Sequence, residues 1–203
     1  MLAFRRAAPA FGRALGPALG LALALGLAGC VDAVPALEAR ARSAWSEVEA
    51  QCRRRADLVP ALVEAVKGHA AQEREVLAEV VEARERAVEA RADAATVADS
   101  QKFREYRQAQ DRLSAALARL LVTVERYPEL KSGAAFLALR SRLDDAENRI
   151  AVARRDYAEA ARAYNAQIRT APGRWIAAFL HPEAKPLETF AANAAEGPAL
   201  ARF

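Results

Sequence analysis

One long stretch of this chain repeats apolar residues at alternating intervals of three and four, without a miss. The repeat contains Phe136, Leu139, Leu143, Ala146, Ile150, Ala153, Tyr157, Ala160 and Tyr164. This spacing is typical of the buried seam of a helix in a bundle or coiled coil. A helix from 134 to 169 would be roughly 54 Å long. Because one amphipathic helix cannot bury its seam alone, it must pack on other helices of the chain or on a partner.

Three further stretches carry a helical repeat, and none resembles a strand. The first runs from 36 to the Pro60 region, and its stripe is Leu37, Ala41, Trp45, Val48 and Cys52. The second runs from Leu62 to Ala90, with His69 on its apolar side and Gly68 as a local bend. The third runs from 101 to 126, and residues 93–100 read as a loop. Pro60 either breaks or kinks the first helix. The sequence predicts an all-α, elongated antiparallel bundle of about four long helices.

The N-terminus has the three parts of a bacterial lipoprotein signal. Arg5, Arg6 and Arg13 precede a short apolar run, and Leu27-Ala28-Gly29-Cys30 closes it with small residues before a cysteine. We expect residues 1–29 to be a cleaved signal peptide, Cys30 to be lipidated and residues 30–35 to form a tether. The alternative is an uncleaved transmembrane anchor, but a spanning helix needs about 20 apolar residues.

Lipidation would hold the protein on a membrane of the bacterial cell envelope, facing the periplasm. Two or more acyl chains suffice for stable anchoring, because each buried methylene contributes about 0.8 kcal/mol. The residue after the cysteine is Val31 rather than Asp, which favours the outer membrane over the inner.

Charge and motif content exclude several classes of function. The full chain has 30 basic and 26 acidic residues, and removal of three N-terminal arginines leaves a net charge of only +1. A nearly neutral domain gives no electrostatic reason to bind nucleic acid. His69 and His181 are the only histidines and have no metal-site spacing. We therefore expect no catalytic residues, no metal and no cofactor. Cys52 is interpreted as a buried apolar residue, with a thiolate favoured by the following arginines as the alternative.

Six polar residues are candidates for interaction or for fixing helix register. They are Arg54, Arg55, Asp57, Asn148, Arg149 and Asn165. In one interpretation they form hydrogen bonds between helices, as buried polar groups can. In the other they form a polar docking surface. We put the structural interpretation first.

A short apolar segment follows the long helical stretch. Residues 174–180 contain two aromatic residues, Trp175 and Phe179, and no acid. The favoured interpretation is a strap that packs on the bundle end, and the alternative is an interfacial membrane contact. The bundle domain is predicted over 36–172. Residues 173–203 are predicted as this segment and a tail that is disordered from Pro186.

Ordered sequence blocks between 40 and 180 resemble the bacterial LemA family. The blocks are Ala44-Trp45-Ser46, residues 54–68 from Arg54 to Gly68, Tyr127-Pro128-Glu129-Leu130-Lys131, Phe136-Leu137-Ala138-Leu139, residues 147–157 from Glu147 to Tyr157, Tyr164-Asn165 and Pro172-Gly173. The resemblance implies a helical-bundle envelope protein with no established enzymatic activity. Two features depart from the family pattern. Members typically begin with a membrane-spanning anchor where this chain has the lipoprotein motif, and a histidine often stands where Gln72 stands here.

These observations lead to one functional hypothesis and two alternatives. The leading hypothesis is a lipid-anchored envelope scaffold or adaptor with no catalytic activity, which binds an envelope protein or further copies of itself. One alternative is a regulator of an envelope enzyme, such as a cell-wall hydrolase. The other is a membrane-remodelling protein that inserts residues 175–180 into lipid.

Overall fold

The structure, a computed structural model, describes residues 33–90, 93 and 95–190, and within them helices joined by turns and short irregular segments are present and no strand occurs. The elements are α1 (Ala33–Lys67), α2 (Arg74–Glu89), a 3-10 turn (Thr96–Ala98), α3 (Ser100–Val124), α4 (Pro128–Ser132), α5 (Ala134–Arg169) and α6 (Gly173–Leu180). The predicted all-α class is confirmed. The expected signal peptide, Cys30 and the end of the tail from 191 lie outside the described residues.

The two longest helices, α1 and α5, form the backbone of the bundle. They have 35 and 36 residues, so each is roughly 50 Å long. Val34 and Ile168 belong to one apolar cluster, whereas Val66 and Phe136 belong to another, so the helices run antiparallel. The predicted seam of α5 lies against this interface, where Leu139 is half-buried and the other eight members are buried. We call the end with Ala33 the N-terminal end, and the end with residues 68–73 and α4 the turn end.

Helices α2 and α3 form an antiparallel hairpin on this pair. Arg119 of α3 lies 2.7 Å from Glu79 of α2, and Arg126, just after α3, lies 2.9 Å from Glu73, just before α2. At 16 residues, α2 is less than half as long as α1 and covers only its turn-end half. The bundle is therefore antiparallel, as predicted, with three long helices, α1, α3 and α5, and the shorter α2.

Pro60 lies inside α1, and the helix continues through it. A proline has no N–H, so the carbonyl oxygen of Ala56 loses its usual partner four residues ahead. Arg84 of α2 replaces that donor, because its Nε lies 3.0 Å from the Ala56 carbonyl oxygen. Pro60 therefore neither breaks the helix nor leaves a carbonyl without a partner, and it gives α2 a specific attachment point on α1.

Two predicted boundaries differ from the structure. Helix α1 begins at Ala33 rather than Ala36, since Pro35 fits in a first turn, where its missing N–H is not needed. The predicted second helix of 62–90 is two helices, because the chain turns between Lys67 and Arg74. His69 is consequently exposed in that turn instead of lying on the apolar face, and Ala70 is buried there.

Helix α2 does not extend into the N-terminal half of the bundle. An aromatic cluster fills the interior there. Trp45 lies 5.0 to 6.1 Å, between ring centroids, from four other rings, those of Phe103, Tyr106, Tyr157 and Phe190. Each such aromatic pair adds about 1 kcal/mol beyond its buried area. The cluster joins α1, α3 and α5 to the segment after α6.

The prediction that the chain is disordered from Pro186 is wrong for residues 186–190. The side-chain amide of Asn165 donates to the Leu187 carbonyl oxygen and accepts from the Leu187 N–H, both at 2.8 Å. The Tyr157 hydroxyl donates to the Glu188 carbonyl oxygen at 2.5 Å, and the Glu188 N–H donates to the Val97 carbonyl oxygen at 2.7 Å. With Leu187 also buried, this short segment packs on the N-terminal half of the bundle.

Candidate functional site

The most buried charge among the described residues belongs to Arg55, which points from α1 into the bundle. Its Nη1 donates to Glu147 Oε1 on α5 at 2.7 Å and to Ser114 Oγ on α3 at 2.6 Å. Its Nη2 donates to Gln110 on α3, at 2.7 Å to the side-chain oxygen and 3.2 Å to the carbonyl oxygen. The Arg55 side chain is fully buried and that of Glu147 is only 9% exposed. We call these four residues the Arg55 hub.

The hub joins α1, α2, α3 and α5 at one level. Gln110 also donates from its Nε2 to the carbonyl oxygen of Ala87 on α2, at 3.1 Å. The apolar cluster of the turn end starts on one side of this level, and the aromatic cluster of the N-terminal end starts on the other. Buried ion pairs add little net stability, because desolvation offsets the attraction, but they can fix which helices pair and in what register. The Arg55 hub therefore lies between the two apolar cores, where it can fix the register in which the helices pack.

The structure places the six candidate residues in two groups. Arg55 is buried in the hub, and the half-buried Asn165 holds the Leu187 segment. Arg54, Asp57, Asn148 and Arg149 are exposed, and Arg149 forms an ion pair with Asp145 of its own helix at 2.9 Å. The structure therefore brings none of these four into the hub.

Sequence reasoning missed three members of the hub, namely Glu147, Gln110 and Ser114. A signal for one of them was present. Gln110 stands four residues after Tyr106 and three before Leu113, so it occupies a position of the apolar seam. A polar residue in a seam position indicates a buried polar contact. Glu147 had a weaker signal, since it lies beside the seam residue Ala146 rather than on the seam.

A second polar cluster lies at the turn end, around Gln72 and Glu73. Glu73 accepts from the Tyr127 hydroxyl at 2.7 Å and from Arg126 at 2.9 Å. Gln72 donates from its side-chain amide to the Tyr127 oxygen at 2.8 Å. The hydrogen bond to the Glu73 carboxylate raises the pKa of Tyr127. This cluster ties the start of α2 to the chain that follows α3.

Beside the hub, between α1, α2 and α3, lies a half-open groove of about 600 Å³. Its lining includes Cys52, Ala56, Tyr106 and Gln110, together with charged residues of both signs such as Glu49 and Arg53. Cys52 is buried, as predicted, and faces the Tyr106 hydroxyl. Burial raises the pKa of Tyr106 well above its ordinary value.

The two histidines lie at opposite ends of the bundle and cannot act together. His69 is in the turn after α1, whereas His181 follows α6 at the N-terminal end. Within residues 33–90, 93 and 95–190, no group of three or more His, Cys, Asp or Glu side chains is placed to hold a metal ion.

Helix α6 carries the most exposed aromatic residues among the described residues. It packs on the N-terminal end through Ile176 and Ala177, which are buried. Trp175 is 55% exposed, Phe179 83% and Leu180 55%. Of the helices in the described part of the chain, none is both long and apolar enough to cross a bilayer.

Together these features define an all-α antiparallel bundle with a polar hub around the buried Arg55 and an apolar helix at one end. The profile of the LemA family matches residues 44–201, which is most of the chain. The chain belongs to the LemA family. A comparison with curated proteins gave no match.

Proposed function

We propose that this LemA family protein is a lipid-anchored scaffold or adaptor of the bacterial cell envelope, without catalytic activity of its own. The observation that carries the proposal is the relation of the lipoprotein motif to α1. Cys30 precedes the first residue of α1 by three positions, so at most about 11 Å of chain separates them. Helix α1 then continues without a break for 35 residues. A lipid at Cys30 would therefore hold one end of a rigid bundle at the membrane.

The burial of the polar side chains in the Arg55 hub favours a binding role over a catalytic one. The buried charges of the Arg55 hub bond to one another, and Arg55 itself has no exposed surface. A general acid or base must reach the proton that it transfers, and the buried Arg55–Glu147 pair does not offer that access. The groove beside the hub is lined by a buried thiol and phenol together with charged residues of both signs, and its lining contains no histidine.

The exposed candidates supply the surface for a partner. Arg54 and Asp57 on α1, and Asn148 and Arg149 on α5, lie at the height of the Arg55 hub because the two helices run antiparallel through it. The hub keeps this region rigid, so these side chains are displayed in fixed positions. We place the binding surface for an envelope protein there, about halfway along the bundle.

Photo-crosslinking in cells tests this proposal on the full-length protein. A photoreactive residue replaces Arg54 or Asn148, and a third protein carries it at Glu85, an exposed position on α2. We expect one reproducible partner to be captured from the first two positions and not from Glu85. Capture of only further copies of the chain would replace the adaptor with a self-assembling structural protein. Equal capture from all three positions would overturn the placement of the surface.

The proposed location has its own test. Replacing Cys30 by alanine should release the domain to the soluble periplasm or leave an uncleaved precursor. Membrane retention of a fully processed Cys30→Ala protein would contradict lipid anchoring. Separation of the two membranes would then decide between the outer membrane, favoured by Val31, and the inner.

Two alternatives remain within the same framework. If the crosslinked partner is an envelope enzyme, such as a cell-wall hydrolase, the protein is its regulator. The exposed aromatic residues of α6 favour the other alternative, a membrane-remodelling role. Liposome deformation by the full-length protein, lost when Trp175 is replaced by alanine, would support that role.

A further inference from the structure

We infer that the outer face of α6 is a membrane-contact site that binds an anionic phospholipid surface. The inference starts from the composition of this helix. Ile176 and Ala177 face the bundle, while Trp175 and Phe179, four residues apart, share the opposite side. Arg174 is its only charged residue. A helix that is apolar on all sides belongs in a protein core or in lipid, and α6 is only half covered by protein.

The position of α6 in the fold indicates a bilayer as its occupant. Helix α5 runs antiparallel to α1, so its last residue, Arg169, lies at the end where α1 begins. Helix α6 follows directly and packs on both α5 and α1. The exposed aromatic residues are thus at the same end of the bundle as Ala33, three positions after Cys30. This step rests on the proposed lipidation of Cys30.

The charge around α6 matches an anionic headgroup layer. No acidic residue occurs between Glu159 and Glu183, whereas that interval contains the exposed Arg162, Arg169 and Arg174. Glu38 of the neighbouring α1 is paired with Arg42 at 2.6 Å. Basic side chains attract anionic lipid, and tryptophan is favoured at the level of the headgroups.

The anchor and the helix would act together. An apolar helix of two turns binds a bilayer weakly on its own. When a lipid at Cys30 already holds the same end of the protein at the surface, the contact becomes intramolecular and its effective concentration is high. The contact would then orient the bundle with its turn end away from the membrane.

Tryptophan fluorescence tests this contact, because the chain has only two tryptophans. The mature lipidated protein, which begins at Cys30, is reconstituted in phosphatidylethanolamine–phosphatidylglycerol vesicles, with and without brominated acyl chains. Trp45 is 2% exposed and lies 12 residues into α1, about 18 Å from its start, so bromine should not reach it. We expect bromine to quench the wild-type protein and the quenching to disappear in Trp175→Phe.

A matched control moves the tryptophan to the other end of the bundle. Leu137 is 49% exposed at the start of α5, roughly 48 Å along the helix from Arg169. The protein with Trp175→Phe and Leu137→Trp should bind the vesicles and show no bromine quenching. Quenching of that protein to the wild-type extent would contradict the predicted orientation.

Flotation of the vesicles separates the membrane contact of α6 from lipid anchoring at Cys30. Protein that floats with the vesicles but whose Trp175 is not quenched would overturn the membrane contact and leave the anchor standing. A blue-shifted Trp175 emission without quenching would mean that another segment of the chain or a protein covers α6, which also overturns the inference. Protein that does not float would overturn lipid anchoring, and the contact with it.

Discussion

Replacing Glu147 by leucine would leave the Arg55 guanidinium buried without a counter-charge. The Arg55 side chain is fully buried, and its remaining partners, Gln110 and Ser114, are neutral. Removing one partner of a buried pair costs about 3 to 5 kcal/mol, because the remaining charge stays desolvated. For a domain of this size, 1 kcal/mol lowers the melting temperature by about 2 to 4 °C, so we expect a fall of about 6 to 20 °C.

A double-mutant cycle measured by urea unfolding tests this expectation. The single variants are Glu147→Leu and Arg55→Met, and the double variant replaces the pair by apolar residues of similar size. The double variant should be more stable than either single variant, since a buried pair replaced as a whole is often neutral or stabilising. The coupling free energy should be at least about 2 kcal/mol.

The exposed ion pair on the same helix is the control for this cycle. Arg149 and Asp145 are both about half exposed. Exposed pairs contribute about 0 to 1 kcal/mol, so Arg149→Met should change stability little. If Glu147→Leu costs no more than Arg149→Met, or if the two hub substitutions are additive, the interpretation of the hub as a buried charge network is wrong.

Three further predictions concern the parts of the fold that surround the hub. Asn165→Leu should free the segment after α6 and raise amide hydrogen exchange at Leu187. Arg84→Met should cost about 1 kcal/mol in the wild-type chain and less in a Pro60→Ala background, where the helix supplies its own donor. The free energy of unfolding should fall as the pH rises above 10, because burial raises the pKa of three tyrosines in the folded state above the ordinary value of 10.0. Urea unfolding at several pH values measures this fall. The buried tyrosines are Tyr106, Tyr157 and Tyr164.

Each of these has a control or an outcome that would contradict it. Asn165→Asp keeps the oxygen that accepts from Leu187 and should protect that amide better than Asn165→Leu. If Arg84→Met lowers the free energy of unfolding equally with Pro60 and with Pro60→Ala, the Ala56 carbonyl oxygen does not depend on Arg84 as its donor. Above pH 10 the folded state holds more tyrosine protons than the unfolded state, so stability that rises with pH there would contradict the tyrosine assignment.

The long helix α5 and the fold class could be predicted from the sequence because both depend on periodicity. The seam from Phe136 to Tyr164 specifies one buried face over nine positions, and α5 has the predicted bounds of 134 and 169. The buried stripe from Ala41 to Cys52 follows the same rule. Apolar residues at helical spacing are informative because burial of one face is what stabilises such a helix.

What could not be predicted depends on contacts between distant parts of the chain. The effect of Pro60 is decided by Arg84, which is 24 positions away, and no local rule announces that donor. Residues 186–190 have no periodic pattern, yet Asn165 and Val97 bind their backbone. Glu147 is buried because it faces Arg55, while its neighbour Asn148 is exposed, and two adjacent polar residues in the sequence do not reveal which one is buried. Such contacts require the packed helices before they can be recognised.

The intact mass of the protein extracted from the membrane fraction tests the central claim most directly. Lipid anchoring predicts a chain that begins at Cys30 and carries the mass of a diacylglyceryl group on that residue. A chain that still contains residues 1–29, or one that begins at Cys30 without lipid, would contradict the claim that this bundle stands on a lipid anchor.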